Sequence, residues 1–323
     1  MSVLVTGGAG FIGSHVIERL LAAAHDDIIC LDNFNEQYDP SLKRANVSRF
    51  AEHPRVRIVE ASFCDQEAMH ELFATARIES VVHLGGVAGV RASLLDPLLY
   101  EQTNVRGTLV LLEAARRHPV RRFVLISSAT VYGREAQSPF REDAPLGTPL
   151  CPYGATKQAA EALGQVYLRQ HQVPVVCLRP FSVYGPRLRP DLAMMIFAEA
   201  LAAERPIRLF GEGRLLRDFT HIDDFCSGLL AALSAENVVG QTINLGRGQP
   251  VEIREVVALL EAGLGCRAQI ELLPATPAEM PTTWADISRA RRLLGYEPRV
   301  SLAEGVADFV AWFQSERRLA LER

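Results

Sequence analysis

Three features of this chain predict an α/β fold in which a doubly wound parallel sheet carries a smaller C-terminal lobe. Short apolar runs alternate with longer amphipathic stretches, a glycine-rich turn follows the first run directly, and the rhythm breaks into Pro- and Gly-punctuated pieces from about Gly185. The runs fall at residues 3–5, 28–31, 56–59, 80–84, 123–126 and 175–178, and a helix opens near Phe11. The intervals leave room for crossover helices, so the strands are expected to be parallel, with helices on both faces. Two helical stretches, residues 97–117 and 153–170, carry more apolar surface than one sheet face covers, which predicts a face for a second subunit. Beyond Gly185, the pieces Gly185-Pro186, Arg189-Pro190, Gly211-Glu212-Gly213 and Gly246-Arg247-Gly248 predict a lobe closing over the carboxyl edge of the sheet. The expected division is 1–180 for the sheet domain, with some later segments returning to it, and 181–323 for the lobe. Residues 315–323 read as a fraying charged tail.

Composition narrows the class. The chain has 323 residues and a net charge of -4, from 34 basic and 38 acidic side chains with no long block of one sign, so nucleic acid is not an expected partner. The densest basic stretch, Arg116-Arg117-His118 followed by Arg121-Arg122, reads as a cationic helix end facing the dipole. Six cysteines without a CxxC pair suit a reducing compartment, which makes the cytoplasm the expected location. No apolar run is long enough to span a bilayer, so no membrane association is expected. His83, His221 and the Asp223-Asp224 pair lack ligand spacing, and no metal is expected.

Thr6-Gly7-Gly8-Ala9-Gly10-Phe11-Ile12-Gly13 sets glycines at GxxGxxG spacing between a strand and a helix. Without Cβ atoms the backbone can approach a pyrophosphate, whose charge meets the free N–H groups of the helix start, the signature of a Rossmann-type nucleotide site. Asp32 ends the next strand, where a carboxylate accepts from both adenosine ribose hydroxyls and repels a 2′-phosphate; this favours NAD over NADP.

Tyr153 and Lys157 stand four apart in a helical stretch and so project from one face. With seven tyrosines and two lysines in the chain, chance supplies about 0.04 such pairs, so the spacing carries information. A phenol is a poor base at neutral pH, but an ammonium and a cationic nicotinamide beside it both favour phenolate. Ser128, in Ile126-Ser127-Ser128-Ala129-Thr130, reaches the carboxyl end of a strand; taken alone it reads as a strand-end cap, and alongside Tyr153 and Lys157 as the hydroxyl that holds the reacting oxygen and relays a proton.

At these residues the sequence resembles the extended short-chain dehydrogenases that act on nucleotide sugars, the epimerase and dehydratase group. The matching pieces run through almost the whole chain: TGGAGFIGSH at Thr6, LDNF at Leu31, VVHLGGVAGVRAS at Val81, NVRGT at Asn104, ISSATVYG at Ile126, PYGATK at Pro152, LRPFSVYGPR at Leu178, RDFTHIDD at Arg217 and WADISRA at Trp284. The resemblance implies that Tyr153, with Ser128 and Lys157, takes a proton from a sugar hydroxyl while tightly held NAD accepts the hydride. It also implies a homodimer through the two long helices. The implied cofactor contacts are Gly7, Gly10, Phe11, Ile12, Gly13, Asp32, Asn33, Lys43, Ser62, Phe63, Leu84, Gly85, Gly86, Tyr153 and Lys157. Ser62 stands where many relatives place an adenine-reading aspartate, and Gly85-Gly86 replaces a usual Ala-Ala, a change read as loosening the turn.

Dehydratases of the group carry Asp-Glu directly after the catalytic hydroxyl; here Ala129-Thr130 follows Ser128, so elimination lacks its acid and base. Decarboxylases of UDP-glucuronate usually have a glutamate at the position of Thr130. A 4-epimerase remains. The segments at Tyr38 to Lys43 and Arg187 to Ala193 resemble epimerases of UDP-glucuronate more than those of UDP-galactose. A hexuronate carboxylate would meet Arg189 with the hydroxyls of Ser128, Thr130 and Ser182. Arg217 is the choice for the diphosphate, Glu279 stands where galactose epimerases hold the uridine ribose, and Arg91 and Tyr153 complete the expected substrate set. The alternatives are a UDP-glucose/UDP-galactose 4-epimerase, a decarboxylase, and a module that binds NAD without turnover.

Overall fold

The computed structural model describes residues 2–23, 27–274 and 280–321. Its centre is a seven-stranded sheet whose strands run, from one edge to the other, Thr242–Leu245, Val175–Pro180, Arg122–Ile126, Ile78–His83, Ser2–Thr6, Asp27–Asp32 and Val56–Glu60. Every adjacent pair is parallel. Side chains alternate between the two faces: Val3 and Val5 join one core cluster, while Leu4 between them joins the other with Met69, Leu72 and Leu111. Burial of both faces explains why these strands read as continuous apolar runs. Strand order reverses beside Ser2–Thr6, which opens a crevice at the carboxyl ends of this strand and Ile78–His83.

All six sequence-expected strands form. The seventh, Thr242–Leu245, was not legible: it is four residues long and contains Asn244, whose amide is satisfied across the sheet edge by the Phe140 carbonyl at 2.8 Å and the Tyr132 hydroxyl at 2.7 Å. The remaining strands build a second layer. Ser182–Tyr184, Leu216–His221, Pro250–Glu252 and Thr282–Thr283 form one small sheet, and Ile207–Phe210 pairs with Ile270–Leu273.

The helical stretch from Pro97 to Arg117 contains a π-helical segment, Glu101–Arg106, between α-helical Pro97–Tyr100 and Gly107–Arg117. The wider turn carries Asn104, which is buried and bonds both backbone groups of Val87, accepting from its N–H and donating to its carbonyl, each at 2.9 Å. Two expectations need correction. Arg122 is not part of the cationic helix end: it opens a sheet strand, is buried, and donates to the Ala235 carbonyl at 2.6 Å. The stretch from Ser315 continues the last helix, Leu302–Leu321, because Leu302, Val306, Phe309, Val310 and Phe313 recur at helical spacing and anchor it in the core.

Candidate active site

A cavity of about 670 Å³ opens at the carboxyl ends of the sheet strands and is walled by both layers. Its floor is the glycine turn. Gly7 sits at φ +65°, and a Cβ there would lie 2.9 Å from the backbone of Gly85; one on Gly13 would lie 2.2 Å from the Gly7 carbonyl oxygen. The helix Phe11–Ala22 can therefore start hard against the strand, with its free N–H groups presented to the cavity. A diphosphate fits this cradle because its glycines leave the backbone bare.

Asp32 is buried, and its two carboxylate oxygens accept from the Ala9 and Phe34 N–H groups at 3.2 and 2.9 Å. Lys43 is not a solvated surface lysine. Its Nζ lies 3.6 Å from Asp32 Oδ1, donates to Asn35 Oδ1 at 2.7 Å and packs over the Tyr38 ring at 5.1 Å. Burial pushes the Lys43 ammonium down, while Asp32 pulls it back up. Asn33, Ser62, Phe63 and Leu84 also line the cavity.

Gly85 and Gly86 are more than a loosened turn. A Cβ on Gly85 would sit 2.6 Å from the Phe63 ring, and one on Gly86 would sit 2.9 Å from Asn104 Oδ1. Phe63 takes the space that a methyl group would use. Sequence reasoning passed over Asn104 as a side chain, though it opens the NVRGT segment. Besides Val87, its amide donates to the Thr156 hydroxyl at 3.1 Å, tying the loop 84–88 to the helix Pro152–His171.

That helix presents Tyr153 and, one turn on, Lys157, both facing the cavity. Lys157 Nζ donates to the Ile126 carbonyl at 2.9 Å, and burial pushes its ammonium down to about 8, against the raising influence of Cys177 and Glu161. Burial raises Tyr153 above its ordinary value; the Ser128 hydroxyl and the charge of Arg189 work in the opposite direction. Within the protein alone, then, desolvation outweighs these favourable neighbours, contrary to the simple expectation of a lowered phenol. Ser128 caps the 3₁₀ turn Ala129–Tyr132 by accepting from the Thr130 N–H at 3.2 Å, and it lines the cavity with Tyr153, the Thr130 hydroxyl 3.0 Å away. His83, beneath the turn, is pushed down to about 3, mainly by burial, and is hydrogen-bonded to Thr6 and Thr108.

Thr130, directly beside Ser128, also lines the cavity, as do Ser182, Arg189 and Arg217. Arg189 forms a two-pronged pair with Asp191, Nε to Oδ1 at 3.0 Å and Nη2 to Oδ2 at 2.8 Å. Arg217 donates to its neighbour's carbonyl, Leu216, at 2.8 Å. Arg91 stands apart from the residues that line the cavity, on the short helix Val90–Leu95, with its guanidinium over the Phe210 ring at 3.9 Å. Glu279 lies outside the described residues. Among the described residues, no three His, Cys, Asp or Glu side chains gather as a metal site, and His221 instead caps the helix Ile222–Ser234.

Residues 3–246 match the family model for the NAD dependent epimerase/dehydratase family. A UDP-glucuronate 4-epimerase of Thermodesulfobacterium geofontis is 39% identical over 310 residues, covering 96% of this chain and 95% of the relative. Among solved structures, the UDP-glucuronic acid 4-epimerase of Bacillus cereus, in complex with UDP-glucuronic acid and NAD, superposes with a TM-score of 0.92 at 36% identity, over 98% of this chain and all (100%) of that one. The UDP-glucose 4-epimerase of Thermotoga maritima, with UDP-glucose, reaches a TM-score of 0.90 at 30% identity, over 98% and 100% of the two chains.

Proposed function

Because this chain belongs to the NAD-dependent epimerase/dehydratase family, we propose that it is an isomerase, a UDP-sugar 4-epimerase that interconverts UDP-glucuronate and UDP-galacturonate. The observation that carries this reading is the meeting of Ser128, Tyr153, Lys157 and Arg189 in one cavity. The Gly7–Gly13 turn, Asp32 and Lys43 would hold NAD, which would supply the hydride acceptor. Tyr153 accepts the C4 hydroxyl proton, Ser128 holds the reacting oxygen, and Lys157 keeps positive charge behind the phenolate. Arg189, Thr130 and Ser182 hold the C6 carboxylate while the keto sugar turns, and Arg217 retains the diphosphate. With Ala129-Thr130 beside Ser128, the cavity offers no carboxyl group there for elimination.

A second reading, a UDP-glucose/UDP-galactose 4-epimerase, draws support from the Arg189–Asp191 pair, which already offsets the guanidinium charge. Side-by-side kcat/KM values for UDP-glucuronate and UDP-galactose decide between them. Preference for the neutral sugar overturns the uronate reading.

The protein is further proposed to be a homodimer. Leu95, Leu98, Leu99, Leu109 and Val166 are exposed large apolar residues on the helical stretches flanking the site, and pairing with a second copy would cover them. The cysteines are all free, which supports a reducing, cytoplasmic setting, and among the described residues no helix is long and apolar enough to cross a membrane. The cofactor is assigned to residues 1–180 together with the strand Thr242–Leu245, and the sugar nucleotide mainly to 181–323.

A further inference from the structure

We propose that Arg187 is a positioning residue: it fastens the segment carrying Arg189 to the helix that starts at the cofactor turn, and selection of a carboxylate-bearing sugar depends on that fastening. The inference rests on the uronate reading of Arg189.

Arg187 never reaches the cavity. It is buried, its Nη2 donates to Glu18 Oε2 at 2.6 Å, and its Nε lies 3.1 Å from His15 Nε2. His15 and Glu18 stand three apart on one face of the helix Phe11–Ala22, whose first turn is the glycine cradle. Burial, and after it the charge of Arg187, pushes His15 down to about 4, so its ring is neutral at pH 7. Neutral imidazole can accept from Arg187 Nε with the proton on Nδ1, or donate from Nε2 to the Pro186 carbonyl at 2.9 Å; one nitrogen serves one of these at a time. Either way, the segment is fastened to the helix through His15.

The backbone explains why this matters two residues later. Arg187 sits at φ +65°, a left-handed conformation that a side-chain-bearing residue rarely adopts, and its pair with half-buried Glu18 holds it there. Rotation about that bond redirects everything downstream, beginning with buried Leu188 and then Arg189, which faces the cavity. Ser128, Tyr153, Lys157 and Asp32 are carried by other elements, so loosening Arg187 displaces the carboxylate clamp and leaves them in place.

The test compares dissociation constants of UDP-glucuronate and UDP-glucose, measured by calorimetry on the NAD-loaded protein, for wild type, Arg187→Ala, Arg187→Lys, Glu18→Gln and Arg189→Ala. Arg187→Ala and Glu18→Gln are expected to lose roughly tenfold of the preference for UDP-glucuronate by weakening that ligand alone, with Arg187→Lys between them and wild type. A general structural role would weaken both ligands together and lower Tm in proportion; that result, or an unchanged preference in both Arg187→Ala and Glu18→Gln, overturns the inference. A wild type without preference, or an Arg189→Ala variant that keeps it, sinks the uronate reading itself.

Discussion

Lys157 lies one helical turn beyond Tyr153 and donates to the Ile126 carbonyl at 2.9 Å, so its ammonium is fixed at the end of the strand that leads into Ser128. Tyr153 is the one phenol that this arrangement places beside Ser128. Tyr153→Phe should keep NAD bound and the fold intact while turnover falls by orders of magnitude, as read by initial rates beside cofactor content. Near-wild-type rates would end the proposed chemistry.

The hydride leaves and returns within one turnover. Cofactor-loaded enzyme given substrate should therefore form product without net NADH, followed by absorbance during the reaction. Accumulation of NADH in step with product would mean a dehydrogenase.

Burial of Lys157 has a stability consequence. Burial holds its ammonium at about 8, well below the 10.5 of an ordinary lysine. Between those values the unfolded chain binds more protons, so stability should rise as pH increases from about 8 toward 10.5; below about 8 the full cost of burying the charge, roughly 3 kcal/mol at most, is present. Lys157→Met should abolish activity, raise Tm at pH 7 and flatten that alkaline rise. Calorimetric scans across pH that show Lys157→Met less stable than wild type at pH 7 would contradict this.

Oxidation of a hexuronate at C4 makes a β-keto acid, which loses CO₂ when the C5–carboxylate bond stands perpendicular to the carbonyl plane. Arg189→Ala removes a charge-assisted contact worth roughly 1.5–3 kcal/mol, so kcat/KM for UDP-glucuronate should drop about ten- to hundredfold. Product chromatography should also show more decarboxylated UDP-pentose. Equal losses on uronate and neutral hexose would remove Arg189 from the carboxylate clamp.

Leu98 is 77% exposed and Leu95 88% exposed, values that only a covering partner would relieve. Leu98→Glu should shift the proteins from dimer to monomer in sedimentation velocity. A wild type that sediments as a monomer would refute the homodimer proposal.

What the sequence revealed was local. The glycine turn, Asp32 and the Tyr153–Lys157 pair each express their geometry within one turn or one strand end, so spacing alone disclosed them. Asn104 and Arg187 act across distance: Asn104 meets Val87 across 17 residues, and Arg187 meets Glu18 across 169. No periodicity records such partners. Gly85 and Gly86 were visible as glycines, yet their need for bare backbone depends on Phe63 and Asn104, which arrive from other elements. The strand Thr242–Leu245 escaped notice because it is short and carries a buried amide.

That strand sets a timetable for synthesis. The edge of the parallel sheet beside Val175–Pro180 is exposed until residue 245 has left the ribosome, and the pairing joins segments more than sixty residues apart. At about 5–20 residues per second, the nascent chain spends several seconds with an open apolar strand edge after its first six strands exist. A newly made chain is therefore most vulnerable to edge-to-edge association in that interval, and a truncation that ends before Thr242 would prolong it indefinitely.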